Sequence, residues 1–276
     1  MPGQRDGPTV KPSVTVTALA RPIPTYPDLE GKVAVVTGGS KGIGAACCRM
    51  LVANGVRVVV NARAQDGIDA LLTELQAAGG DAIGIAADCC DASALARMRD
   101  EVKAAFGPPD VLLAYAGGFE SMTPITSISE EEWREVIESN LTSTFLTVQA
   151  FLPDMVERGS GSIVTMASNG GRLLDKLLTA SYAAAKAGVI QFTRHIAIEL
   201  GPHGIRVNAI APATVLSDRS KRLMDEEATA RTAALSPLGR IGTPEDCALA
   251  TLFLASDSSG WLTGVTLDIA GGRVML

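Results

Sequence analysis

Residues 33–44 read Val33-Ala34-Val35-Val36-Thr37-Gly38-Gly39-Ser40-Lys41-Gly42-Ile43-Gly44. The apolar, β-branched start has the character of a strand covered on both faces. Residues 43–53 have the length and periodicity of a helix, so the glycines between form the turn that joins the two. Gly38, Gly42 and Gly44 permit a tight turn, close approach of backbone N–H groups to a pyrophosphate, and close packing of helix on strand. Ser40, Lys41 and Ile43 complete the set expected to line that turn. A strand, a glycine turn and a helix in this order open a parallel sheet that holds a dinucleotide at its first turn.

The alternation continues along the chain. Strands are expected at 56–60, 82–87, 111–115, 162–166, 205–210 and 265–269, and helices at 66–78, 93–106, 129–158, 181–200 and 244–255. The long helix 129–158 is expected to bend near Pro153, because proline lacks the N–H and crowds the preceding turn. Parallel strands need helical crossovers, so the reading is α/β: a single-domain, Rossmann-type, doubly wound parallel seven-stranded sheet with helices on both faces, over residues 31–276. Residues 1–30, with prolines and glycines among polar and short apolar stretches, are expected to form a flexible arm. The polar, charged stretch 215–237 breaks the alternation and is expected to be a substrate lid over the catalytic edge of the sheet.

Composition narrows the classes. The chain has 276 residues, 47% hydrophobic and 20% charged, within the range of globular proteins. A net charge of −6 offers no basic surface for nucleic acid. No apolar run reaches the roughly 18 residues of a membrane helix. The expectation is a soluble, cytoplasmic protein with neither nucleic acid nor membrane as partner. The five cysteines, Cys47, Cys48, Cys89, Cys90 and Cys247, have no C-x-x-C spacing. They are read as reduced, mostly buried residues that form no metal site.

An acid at the end of the second strand usually holds the ribose hydroxyls of NAD. Here that strand ends Val60-Asn61-Ala62-Arg63, with no acid. A carboxylate would repel a 2′-phosphate, whereas Arg63 can bind it bidentately and Lys41 can add a second charge. The expected cofactor is therefore NADP (NADPH), with Asn61 and Arg63 beside its ribose.

Further along, Tyr182-Ala183-Ala184-Ala185-Lys186 falls on an expected helix, which sets the two outer side chains on one face with Cβ atoms about 5–6 Å apart. A free tyrosine has a pKa of about 10. A neighbouring ammonium favours the phenolate and brings it towards the working range of an acid–base group. Carbonyl reduction needs one such group, to protonate oxygen as hydride reaches carbon. Ser168 stands just past the strand 162–166, ahead of this pair.

Thr37-Gly38-x-x-x-Gly42-x-Gly44, Ser168 and Tyr182-x-x-x-Lys186, in that order, resemble the short-chain dehydrogenase/reductase family, and the likeness runs from about Gly31 to the C-terminus. Asn140 matches the helix asparagine of that family. The stretch Pro237-Leu-Gly-Arg-Ile-Gly-Thr-Pro-Glu-Asp246, with Leu262-Thr-Gly264 and Asp268-Ile-Ala-Gly-Gly272, resembles its β-ketoacyl-carrier-protein reductase branch. The resemblance implies a ketone/secondary-alcohol oxidoreductase with Tyr182 as general acid and base. Lys186 would hold the nicotinamide ribose and lower the tyrosine pKa, Ser168 would align the substrate oxygen, and Asn140 would extend a water-linked proton relay. Cofactor contacts are implied for Asp88 at the adenine, for Ala116 and Gly117, and for Pro212, Thr214 and Val215; Asp88 reads equally well as a helix cap. A homotetramer is implied as well, with the apolar ending Val274-Met275-Leu276 buried between subunits.

Three places depart from the family pattern. Its Asn-Asn-Ala-Gly is Ala114-Tyr115-Ala116-Gly117 here, which removes side chains that brace the sheet and the central helix. Its Pro-Gly is Pro212-Ala213, and Thr214-Val215-Leu216 matches only loosely the stretch that offers a threonine to the carboxamide. None touches the acid–base set, so turnover of a small-molecule ketone or alcohol is expected. Gly118, Phe119, the loop 169–178 and the lid are the expected pocket walls. Leu173, Leu174, Leu177 and Leu178 would make the pocket largely apolar, while Arg172 and Lys176 either meet an anionic handle or are solvated. Imine or pteridine reduction on the same machinery, and a nucleotide-binding regulator without turnover, stay open as alternatives. An enoyl reductase is disfavoured, because that branch spaces its tyrosine and lysine more widely.

Overall fold

Val35, at the middle of β1 (Val33–Thr37), lies in parallel register with Val59 on one side and Leu112 on the other, and all five residues of this strand are buried. Such a strand must have helices on both faces, and it does. The structure is a computed structural model that describes residues 22–118, 123–173, 178–217, 220 and 224–275. With β2 (Arg57–Ala62), β3 (Ala82–Ala86), β4 (Val111–Ala114), β5 (Gly161–Met166), β6 (Ile205–Pro212) and β7 (Thr266–Ile269), β1 forms a seven-stranded parallel sheet in the order β3-β2-β1-β4-β5-β6-β7. The expected fold class is the one observed.

Side chains alternate between the two faces. Ala34 and Val36 point into a core shared with α1 (Gly42–Val52), α2 (Gln65–Ala77) and α8 (Pro244–Ala255). Val33 and Val35 point into the other, built with α3 (Ala92–Phe106), α5 (Ser143–Arg158) and α6 (Ala180–Leu200). The chain winds outward from β1 to one edge, returns, and winds outward from β4 to the other. The crevice between the carboxyl ends of β1 and β4 is thus the switch point, where open α/β sheets bind ligands.

The helix expected at 129–158 is interrupted, but not at Pro153. It runs as α4 (Glu130–Ile137), a π-helical turn (Glu138–Thr142), and α5. The Ser143 and Thr144 hydroxyls donate to the Ser139 and Asn140 carbonyls, at 2.7 and 3.0 Å. Asn140 sends its side chain away to Gly118. Polar side chains that compete for the backbone in this way widen the helix by one residue. Pro153 remains inside α5, and the residue four before it, Gln149, is exposed.

Attachment to the body begins within the expected arm. Leu29 is fully buried, the Tyr26 N–H donates to Asn54 Oδ1 at 2.7 Å, and Asp28 accepts from the Asp257 N–H. Within 215–237, α7 (Glu226–Ala234) is capped by Asp225 and packs inward through Thr232 and Ala233. The cysteines are free, all buried except the half-buried Cys90.

The departure at Tyr115 brings a brace of its own. Its hydroxyl lies 2.6 Å from Thr251 Oγ1 on α8, so it ties the end of β4 to the helix layer on the opposite face from Asn140. The phenol thus supplies a brace to α8, a different one from the brace to the central helix that the departure was expected to remove.

Candidate active site

The glycine turn is shaped by contact as much as by dihedral freedom. Gly38 has φ 63°, and a Cβ there would lie 2.9 Å from the Tyr115 carbonyl oxygen. The ends of β1 and β4 thus touch backbone to backbone. At Gly44 a Cβ would be driven into the Gly38 carbonyl and would lie 2.9 Å from Gly39 Cα. No side chain caps the start of α1, where Lys41 is the N-cap residue. First-turn N–H groups of a helix form an anion site when no side chain satisfies them.

Beyond the turn, the side chains of Ser40 and Lys41 stand 3.4 and 3.6 Å from where a Gly67 Cβ would sit, at the uncapped start of α2. Arg63 lies between β2 and α2, exposed, as is Lys41, and neither is in an ion pair among the described residues. Asp66 is the acid of that first turn. Asn61 is fully buried, its Nδ2 donates to the Ile85 and Ala87 carbonyls at 3.0 and 3.1 Å, and its Oδ1 accepts from Cys89. Its side chain therefore bonds the end of β2 to β3 and the residue after it, which leaves its backbone as the part that can face a cofactor. Asp88 is exposed and accepts from the Cys90 N–H at 2.9 Å, while the cap of α3 is Asp91.

The acid–base set is positioned by α6 and β5. Thr179 caps α6, accepting from the Tyr182 N–H at 3.3 Å. One turn on, the Lys186 Nζ stands 5.6 Å from the centre of the Tyr182 ring and donates to the Met166 carbonyl at 2.8 Å. Ser168 is buried; its Oγ accepts from the Gly170 N–H at 3.2 Å and, among the described residues, makes only a long 3.4 Å contact to Asn169 Oδ1 with its own proton. Asn140 Oδ1 accepts from the Gly118 N–H at 2.9 Å, and its Nδ2 donates to the Gly118 carbonyl at 2.7 Å. A Cβ on Gly117 would fall 2.7 Å from that Oδ1, so glycine is required there. The asparagine side chain therefore clamps the β4 loop.

These pieces meet in one cleft of about 490 Å³. Gly38, Lys41, Gly42, Ile43, Gly44 and Gly117 line one end; Ser168, Tyr182, Lys186, Pro212 and Val215 line the other. Ser40, Arg63 and Asp88 are not part of its lining, nor are Ala116, Asn140 and Thr214, whose carbonyl accepts from Gly242. Met166, Ala167 and Pro244 also line it and escaped the sequence reading, while Ser217 belongs to the stretch 215–237 expected as a wall. The Met166 carbonyl carries no side-chain signal, whereas Pro244 could have been found as the first residue of an expected helix. Gly118 is a wall as expected; Phe119, Leu174, Lys176, Leu177 and Leu276 lie outside the described residues. Leu178 packs against Gly170. Arg172 neither faces the cleft nor is free in solvent: it pairs with Asp268.

Burial pushes the Lys186 ammonium down to about 7. The unfolded chain would hold that proton to about 10.4. Between these values the unfolded state binds more protons, so stability rises with pH across that window, and the burial cost is complete below it. Melts of the ligand-free protein and Lys186→Met are expected to show wild type gaining on the variant as pH climbs from about 7 to 10. A difference that stays flat over this range would mean the ammonium keeps its charge when buried.

A family model described as enoyl-(acyl carrier protein) reductase matches residues 38–273. The chain belongs to the short-chain dehydrogenase/reductase family, on the ketoacyl-reductase side of it, and is an oxidoreductase. It is 37% identical over 252 residues to 3beta-hydroxysteroid dehydrogenase 1 of Eggerthella lenta, covering 91% of this chain and 96% of that one. It is 35% identical over 255 residues to the 3-oxoacyl-(acyl-carrier-protein) reductase FabG of Escherichia coli, covering 90% and 100%. Among solved structures, a 3-oxoacyl-(acyl-carrier protein) reductase with bound NAD from Brucella melitensis superposes with a TM-score of 0.84 at 33% identity, over 91% and 94% of the two chains. No described helix is long and apolar enough to cross a membrane.

Proposed function

We propose that the protein is an NADP(H)-dependent ketone/secondary-alcohol oxidoreductase in which Tyr182 carries the proton. The observation that carries this reading is the convergence of Ser168, Tyr182 and Lys186 on the cleft that the glycine turn opens. The residues fit a dinucleotide: Gly38 and Gly44 leave a cradle that a Cβ would fill, beside an uncapped helix start. Gly38, Gly42, Ile43 and Gly44 would hold the pyrophosphate, Lys186 the nicotinamide ribose, and Pro212 and Val215 the carboxamide end. Bound there, the nicotinamide supplies or accepts the hydride.

The chain's own groups handle the proton. Tyr182 Oη donates it to the substrate oxygen in reduction and removes it in oxidation. The Lys186 ammonium stabilises the phenolate left behind. Ser168 Oγ turns its proton from the long Asn169 contact to the substrate oxygen, fixing that oxygen near Tyr182. Asn140, occupied by Gly118, orients the loop that walls the cleft and offers no free side-chain group to a relay.

NADP is preferred to NAD because the exposed Arg63 and Lys41 flank the uncapped start of α2, where no acid ends β2. Titration with NADPH and NADH, followed by oxidation assays on a β-keto thioester, a 3-ketosteroid, a cyclic ketone and a crotonyl thioester, tests cofactor and reaction together. NADPH should bind more tightly, and one of the ketones should be reduced while the C=C of the crotonyl probe is not. Arg63→Ala is expected to weaken NADPH roughly 10- to 100-fold, the size of a lost charge-assisted bond, and to leave NADH unchanged. Equal loss for both nucleotides would reject the 2′-phosphate role of Arg63. A homotetramer in the cytoplasm is the assembly proposed, in line with the exposed apolar Trp133 and Phe145 on α4 and α5.

A further inference from the structure

We infer that Arg172 is a positioning residue: its ion pair with Asp268 holds the turn that carries Ser168 in its reactive placement. The inference rests on the role given to Ser168 above. The turn is a short 3-10 segment, Asn169–Gly171, capped by Ser168 itself. Its bonds are local. Gly170 donates to Ser168 Oγ, Gly171 to the Ser168 carbonyl, and Arg172 to the Asn169 carbonyl at 2.9 Å. These shape the turn without tying it to the rest of the molecule.

Among the described residues, contacts to α6 and to β7 tie it. Gly171 presses on the backbone of α6, where a Cβ would fall 2.7 Å from Lys186 C and 2.8 Å from Ala187 N. Such packing sets the distance between the Ser168 turn and the Lys186 backbone, but it does not prevent sliding. Direction comes from Arg172, which reaches across to β7. Its Nη1 donates to Asp268 Oδ2 at 3.0 Å and its Nη2 to the Thr266 carbonyl at 3.2 Å. Asp268 is in register with Ala211 of β6, the strand that ends at the cleft-lining Pro212.

The turn that follows β7 meets the end of the lid segment. The Leu238 N–H donates to the Gly271 carbonyl at 3.1 Å, and Gly272 closes on Pro237, with a Cβ position 2.9 Å from its Cγ. β7 meets the Ser168 turn, and the turn that follows β7 meets the foot of that segment.

The pair is poorly built for stability. Both side chains are mostly buried, 14% and 20% exposed, so water does little to screen the pair. Arg172 Nε, Asp268 Oδ1 and Thr266 Oγ1 are all buried without a hydrogen-bond partner among the described residues. Burial raises the Asp268 pKa and the guanidinium opposes the shift. An ion pair buried with unmet atoms is weak evidence for added stability, and the role assigned to it here is a defined geometry.

The test uses Arg172→Met, Arg172→Lys and the isosteric Asp268→Asn, with Arg172→Met also made in a Ser168→Ala background. Readouts are hydrogen exchange of the amides 169–173, NADPH affinity, and kcat for whichever ketone of the panel above is reduced fastest. Arg172→Met and Asp268→Asn should speed exchange in the turn and lower kcat roughly tenfold, as a misplaced reacting group does, without changing NADPH affinity. Arg172→Lys, which keeps a positive charge facing Asp268, should recover part of the loss. In the Ser168→Ala background, Arg172→Met should cost nothing further, because the turn then has no hydroxyl to place. Asp268→Asn carries the same reading if Arg172→Met does not fold. Unchanged exchange, unchanged kcat, or the same loss with and without the Ser168 hydroxyl overturns the inference. Full turnover by Ser168→Ala alone rejects the role of Ser168, and the inference with it. That outcome is distinct from a failure confined to Arg172.

Discussion

Tyr182→Phe is expected to lower kcat for ketone reduction roughly 10²- to 10⁴-fold, the contribution of a positioned general acid. NADPH affinity is expected to stay nearly the same. The ring that lies 5.6 Å from Lys186 Nζ is kept, as is the cap bond from the residue-182 N–H to Thr179, so only the hydroxyl is lost. Steady-state assays at saturating NADPH, paired with a fluorescence titration of the nucleotide, separate the two quantities. Turnover at the wild-type rate would show that the proton reaches the substrate by another route, and would remove Tyr182 from the mechanism. Loss of NADPH binding together with turnover would assign Tyr182 to the binding of the nucleotide instead.

A single methyl group in the glycine turn is expected to act by a different path, on stability and nucleotide binding together. Gly44→Ala points a Cβ at the Gly38 carbonyl with the Gly39 backbone 2.9 Å away, and neither neighbour is a flexible side chain that can move aside. Either the turn opens or α1 shifts off β1. Overpacking of this kind costs about 1–3 kcal/mol of stability. A comparable cost falls on the nucleotide, whose pyrophosphate needs the turn closed, so its affinity should drop by a factor of about 10 to 100. Thermal melts with and without NADPH read both effects. A melting point that falls while the ligand-induced rise is retained would mean that α1 moves as a unit and carries the binding turn with it.

What was legible in the sequence was whatever repeats locally. The apolar strands, the glycine turn and the Tyr182/Lys186 spacing depend on residues a few positions apart, and all of them stand where the periodicity put them. What the Asn61 side chain does was not legible, for a physical reason. A polar residue at a strand end looks the same in sequence whether it faces a ligand or bonds to the neighbouring strand, and here Ile85 and Ala87 take its amide. The same blindness hid the Arg172–Asp268 pair, whose members are 96 residues apart. The helix break was placed at Pro153 because proline is the obvious breaker. The break falls instead at Asn140, where side chains from 139 to 144 compete for the backbone, a signal spread over several ordinary polar residues. Tyr115 looked like a loss against the family pattern, and only the fold reveals that its hydroxyl meets Thr251 across the sheet.

The π-helical turn also has a consequence for the outside of the molecule. One extra residue in a helix advances the angular phase of everything after it by about 100°. The stripe of side chains that α4 presents is therefore not continued along α5; the two segments aim their faces in different directions although they form one uninterrupted stretch of chain. The Glu130–Arg134 pair stays on an exposed outer stripe, while Ser143, Thr147 and Phe151 turn inward onto the sheet. A heptad-like or i, i+4 pattern traced straight through Asn140 would come out of phase. Surface redesign of this region has to treat 130–137 and 143–158 as two separate helical wheels.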